Sequence, residues 1–152
     1  VIIFSEPYPP IRACWAVFLS WFLAQLFKVL MGVIRERRLN FRWIFDTGGM
    51  PSSHTATVAA LATTVCLYYG TISMPSLIAV VFTIIIMFDA VGVRRSVGRQ
   101  AQILNQISQE LSEKGHVKEG RVKELLGHTP IEVLVGAGVG IIIALILCKV
   151  GI

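Results

Sequence analysis

Two histidines in this chain stand where a polar segment gives way to an apolar one. His54 closes Gly48-Gly-Met-Pro-Ser-Ser-His54, and His128 lies within Leu126-Gly-His-Thr-Pro-Ile-Glu132. In the first motif Pro51 suits the first turn of a helix, where its missing N–H has no partner to lose. The glycines before it allow a sharp bend. The N–H groups of Ser52, Ser53 and His54 then face the helix mouth with partial positive charge, a setting for an oxyanion such as phosphate. An ordinary capped helix start accounts for the same residues. In the second motif Thr129 reads as an N-cap, Pro130 as the first helical residue and Glu132 as the capping-box partner. Capping leaves His128 unexplained. Four residues before Glu132, its imidazole can be oriented by that carboxylate, which fixes a tautomer and raises basicity.

Cations lie near both motifs: Lys28 and Arg35 before the first, Arg94 and Arg95 before the second. A nucleophile, a proton donor and positive charge around the equatorial oxygens are what phosphoryl transfer requires.

The elements that must carry these residues read as membrane helices. Of 152 residues, 55% are apolar and 15% charged, with a mean hydropathy of +0.72; that profile belongs to a membrane protein of one domain, residues 1–152. The net charge of +5 sits beside apolar segments, so orientation and lipid headgroups account for it and nucleic acid does not. Cys14, Cys66 and Cys148 form no Cys-x-x-Cys pair and read as packing residues. Residues 1–10 form a proline-rich lead-in, and no cleavable signal peptide is read. Four spans are expected: Ile11 to Ile34, Pro51 to Gly70, Ser76 to Val93 and Pro130 to Cys148. Between the last two, Leu104, Ile107 and Leu111 recur at helical spacing, giving one or two amphipathic surface helices that break near Gly115. Gly136 and Gly140 make a small-residue face for close packing.

The first-to-second connection carries Arg35, Arg37, Arg38 and Arg42, the third-to-fourth is also basic, and the second-to-third has no charge. Both basic connections are expected on the cytoplasmic side, with both histidines. Asp89, an acid within a span, is expected to pair with Lys28, Arg94 or Arg95. The alternative is a metal site with Asp46 and Glu132.

Pro51-Ser-Ser-His54 resembles the Pro-Ser-Gly-His motif of the type 2 phosphatidic acid phosphatases, relatives of the vanadium haloperoxidases. Lys28 and Arg35 match the lysine and arginine of that family's first motif, with Glu36 where the family has proline. His128 and Glu132 resemble the end of its third motif. Together with Asp89-Ala-Val-Gly-Val-Arg-Arg95, these features look like the small divergent branch of the superfamily, from about Lys28 to Gly140. The resemblance implies a metal-independent, cofactor-free hydrolysis of a membrane lipid phosphate, such as phosphatidic acid or a polyprenyl phosphate or diphosphate. It implies that His128 attacks phosphorus, His54 protonates the leaving group and Glu132 orients His128. Lys28, Arg35, Ser52 and Ser53 then hold the oxygens. Ser53 stands where the family has glycine. Val122 stands where it has an arginine, a place that Arg94 or Arg95 is expected to fill. Four spans instead of six imply a more open site or one completed by a second subunit, as in a homodimer. A non-catalytic protein that binds or moves anionic lipids is the alternative built on the same residues.

Overall fold

The computed structural model describes residues 10–37, 49–113 and 127–150. All five elements in that set are helices: α1 (Pro10–Glu36), α2 (Ser53–Tyr69), α3 (Met74–Val91), α4 (Val93–Glu113) and α5 (Pro130–Val150). No strand occurs among the described residues. Three stretches are long and apolar enough to cross a membrane: Ile11–Ile34 in α1, Met74–Glu113 through α3 and α4, and Pro130–Lys149 in α5. The expected second span, α2, has 17 residues. At 1.5 Å per residue that is about 25 Å, short of a hydrocarbon core of roughly 30 Å. It is nonetheless the central helix, packed against α1, α3 and α5.

Local chemistry sets the boundaries. Helix α2 starts two residues later than the expected Pro51, because Ser52 is its N-cap and Pro51 precedes the cap. The Ser52 hydroxyl accepts hydrogen bonds from the N–H and the hydroxyl of Thr55, at 3.4 and 3.0 Å. Gly70, with φ +84°, ends the helix in a backbone conformation side chains avoid. Ser73 then caps α3, so that span begins two residues before the expected Ser76.

The interior is made of small residues. Ala16 of α1, Ala60 of α2 and Ala144 of α5 meet in one cluster. Ala16, Ser20, Ala24 and Lys28 recur every four residues on α1, all buried. Gly136 and Gly140 of α5 lie so close to α2 that a methyl group at either would fall on the backbone carbonyl oxygen of Ser52 or Ala56. The small-residue face expected around these glycines is therefore a helix contact. Bulky side chains such as Phe18, Phe22, Phe82, Phe88 and Ile142 are on the outside. In lipid, where burying leucine gains nothing, close backbone approach is what holds helices together.

These contacts also fix directions. Ser52 meets Gly136 and Ala56 meets Gly140, so α2 and α5 run side by side in the same sense. Thr83 of α3 donates to the Val58 carbonyl of α2 at 3.0 Å, while Ser76 donates to the Gly70 carbonyl at 2.6 Å. Helix α3 thus runs opposite to α2. The starts of α2 and α5 and the ends of α1 and α3 gather at one end of the bundle, as two cofacial polar connections require.

Candidate active site

The stripe that buries Ala16 and Ala24 brings Lys28 into the bundle, 8% exposed. Its aliphatic stem runs beneath Gly49, whose φ of +93° requires a glycine. Two residues later the chain enters the cap of α2. Here the expectation of three open N–H groups is corrected. The Ser52 N–H donates to the Glu132 carbonyl of α5 at 3.1 Å. Ser52 is therefore a cap and a tether, with its N–H unavailable to an anion. The N–H groups of Ser53 and His54 take no backbone acceptor among the described residues. The Ser53 side chain is buried, and His54 is exposed.

The second mouth is built as a capping box. The Glu132 carboxylate accepts from the Thr129 N–H at 2.9 Å, and the Glu132 N–H donates to the Thr129 hydroxyl at 3.4 Å. Glu132 thus serves the helix start, and no hydrogen bond joins it to the His128 ring. The backbone, by contrast, fixes His128 firmly. Its N–H donates to the Ala90 carbonyl at the end of α3, at 3.2 Å. Gly127 lies flat on the Arg94–Arg95 backbone, where a methyl group would meet the Arg95 nitrogen. The ring itself is 1% exposed, and both of its nitrogens are buried without a hydrogen-bond partner among the described residues.

Arg94 is the arginine turned to this site. Its Nε bonds the Asp89 carboxylate at 2.8 Å, which selects one of the three expected partners of Asp89. Arg95 is exposed and offers Gly127 its backbone. Arg94 and Lys28 are both within electrostatic reach of His54 and of His128, and His54 is within reach of His128. Burial pushes the His128 imidazole below its ordinary value of 6.5, Glu132 opposes this, and the charges of Lys28, His54 and Arg94 add to the fall. Arg35 lies near the end of α1, and its side chain is outside the described residues, as are Asp46, Gly115, His116 and Val122.

Lys28, His54, Arg94, His128 and Glu132 therefore converge from α1, α2, α4, the approach to α5 and its first turn. An unpartnered, largely neutral imidazole beside a second imidazole and two cations is an arrangement that receives an anion. Residues 11–143 match a family described as the divergent PAP2 family. The chain belongs to that family. Its similarity to a curated relative, an uncharacterized membrane protein (YuiD) of Bacillus subtilis strain 168, is 40% identity over 135 residues, covering 82% of this chain and 85% of the relative. No solved structure matches it. A divergent PAP2 protein with three helices long and apolar enough to span is a multi-pass membrane protein. The matched residues include both histidines, Lys28, Asp89, Arg94 and Glu132.

Sequence reasoning missed two parts of this site. The Ala90 carbonyl that holds His128 is a backbone group and carries no residue signature. Gly127 did carry one: a glycine directly before a functional side chain often marks a close backbone approach.

Proposed function

We propose that this divergent PAP2 protein hydrolyses a lipid phosphate through a phosphohistidine. The observation that carries this reading is the pairing of His54 with a buried, unpartnered His128, both within reach of Lys28 and Arg94. Neutral His128 attacks phosphorus while the bond from phosphorus to the ester oxygen breaks. His54, in its protonated form, gives that oxygen its proton, and the lipid alcohol leaves, or the lipid monophosphate where the substrate is a diphosphate. His54 then takes a proton from water as the water oxygen attacks the phosphohistidine. The P–N bond breaks, inorganic phosphate departs and His128 is regenerated. Lys28 and Arg94 oppose the negative charge that spreads over the equatorial oxygens. The N–H groups of Ser53 and His54 at the α2 mouth add donors.

In this reading α2 crosses the bilayer as a fourth span, shielded from lipid by α1, α3 and α5, so its short length is tolerated. The basic connections place the site on the cytoplasmic face, and the substrate is a phosphatidic acid-like or polyprenyl phosphate or diphosphate drawn from that leaflet. The alternative of anionic-lipid binding without chemistry draws support from Ser52, whose N–H is committed to Glu132, leaving one donor fewer for a transition state.

The test is release of inorganic phosphate by purified protein in vesicles containing phosphatidic acid or undecaprenyl diphosphate. His128→Ala should abolish both turnover and an acid-labile phosphoprotein. His54→Ala should lose about 10²–10⁴-fold, the usual worth of a general acid. Unchanged turnover in His128→Ala removes the nucleophile. Lipid binding without phosphate release from the unmutated protein selects the alternative.

A further inference from the structure

Helix α4 has three distinct sectors at about 100° per residue. Val93, Val97, Leu104, Ile107 and Leu111 form an apolar stripe interrupted by Gln100, and all six are exposed. About a quarter-turn to a half-turn away, Arg94, Gly98, Ala101, Asn105 and Ser112 are buried or half-buried. The remaining sector holds Arg95, Arg99, Gln106, Glu110 and Glu113, all exposed. A helix packed on a water-soluble core turns its apolar stripe inward. Here the small and polar sector faces the protein, and the apolar stripe faces away from it.

The junction with α3 says what lies outside. Gly92 remains in the helical region at φ −94° and ψ −77°. Its N–H donates to the Phe88 carbonyl at 2.8 Å, and its own carbonyl accepts from the Ser96 N–H at 3.0 Å. Helix α4 therefore emerges from a membrane-spanning helix without an intervening loop, and its first turns start at the depth where α3 ends. Phe88, on the last turn of α3, is 75% exposed, and Val93 is 60% exposed, so bulky apolar side chains are open on both sides of the junction. Arg99 and Arg95 lie about 80° and 120° round the helix from the edge of the stripe at Ile107, on the sector open to water.

We propose that α4 is a membrane-docking surface whose partner is the anionic leaflet at the site's end of the bundle. Its apolar stripe lies in the boundary between headgroups and acyl chains, and Arg95 and Arg99 meet lipid phosphates. An amphipathic helix with cations on its polar face binds a bilayer by these two terms together. Arg94 belongs to the first turn of this helix, Gly127 rests on that turn, and His128 bonds Ala90 just before it, so the surface is continuous with the histidine cluster. The proposal stands whether or not that cluster is catalytic.

The experiment uses the full chain with Cys14, Cys66 and Cys148 replaced and single spin-labelled cysteines at Leu104, Leu111, Gln106 and Glu110. The protein is reconstituted in phosphatidylcholine vesicles with and without phosphatidylglycerol. Labels at Leu104 and Leu111 should collide with oxygen more than with an aqueous nickel complex, and those at Gln106 and Glu110 the reverse. Phosphatidylglycerol should deepen the Leu104 label, and the double variant Arg95→Gln/Arg99→Gln should abolish that shift. Preferential collision of the Leu104 and Leu111 labels with nickel overturns the proposal. So does spin–spin broadening at Leu104 that survives dilution in lipid, which would mean a second copy covers the stripe. A phosphatidylglycerol shift unchanged in the double variant overturns the assignment of the two arginines.

Discussion

The Ser52 N–H and the Glu132 carbonyl, 3.1 Å apart, join the start of α2 to the first turn of α5. His54 lies two residues beyond one end of this bond, and His128 four residues before the other. Two side chains far apart in sequence thus inherit a fixed relation from one backbone contact.

That contact needs Gly136. Gly136→Ala puts a methyl group on the Ser52 carbonyl oxygen, with the Ser52 carbonyl carbon and Cβ at 3.2 Å. Overpacking of this kind costs about 1–3 kcal/mol. Thermal unfolding in micelles should show the loss, and phosphate release should fall with it. Gly138→Ala, on the same helix with nothing within 4 Å of the added methyl, should change neither.

Ser52→Ala separates capping from anion binding. Removing the hydroxyl that caps Thr55 should lower stability by about 1 kcal/mol. Inhibition by vanadate, which mimics five-coordinate phosphorus, should keep its concentration dependence. Weaker vanadate inhibition at unchanged stability would instead make the Ser52 hydroxyl a ligand.

Asp89 bonds Arg94 and in the proposed reaction should act through it. Asp89→Asn should leave Arg94 charged but poorly placed, reducing turnover by up to about 10²-fold, the scale of a misplacement near 1 Å. Arg94→Gln should cost at least as much. Because the two side chains are bonded, the double variant should lose little more than Arg94→Gln alone. Additive losses, measured as kcat/KM on one lipid substrate, would separate the roles.

In the proposed reaction, protonation of His128 should set the acid limb of activity. The attacking ring must be neutral, and burial holds its value below 6.5. The limb in kcat/KM assigned to His128 should therefore fall below pH 6.5. The charge of Glu132 opposes the shift, so Glu132→Gln should move this limb to still lower pH. Stability follows the same sign. Between the folded value and 6.5 the unfolded chain binds more protons, so stability drops as pH falls through that window.

Much of this was readable from residue types. Ser52, Gly70 and Pro130 punctuate the helices, and α1, α3 and α5 lie where the apolar runs predict, within two residues. The histidines shared an end because charge in the connections fixed which segments are cofacial. What stayed hidden depends on tertiary contact. No spacing rule distinguishes Arg94 from Arg95 as the partner of Asp89; the direction of the first turn of α4 does. The capping box at Thr129 and Glu132 was legible, yet its occupation of the carboxylate competes with orienting His128. Periodicity revealed that α4 has an apolar stripe but not which way that stripe points.

The alanine, glycine and serine interior inverts the usual logic of tolerance to substitution. At Ala56, Ala60 and Ala144 there is no room for a larger side chain of any polarity, so volume is what selection must police there. On the lipid-facing surface one bulky hydrocarbon replaces another without disturbing a neighbour. A chain of this kind should tolerate substitution best where its residues are largest and most oily, and least where they are smallest.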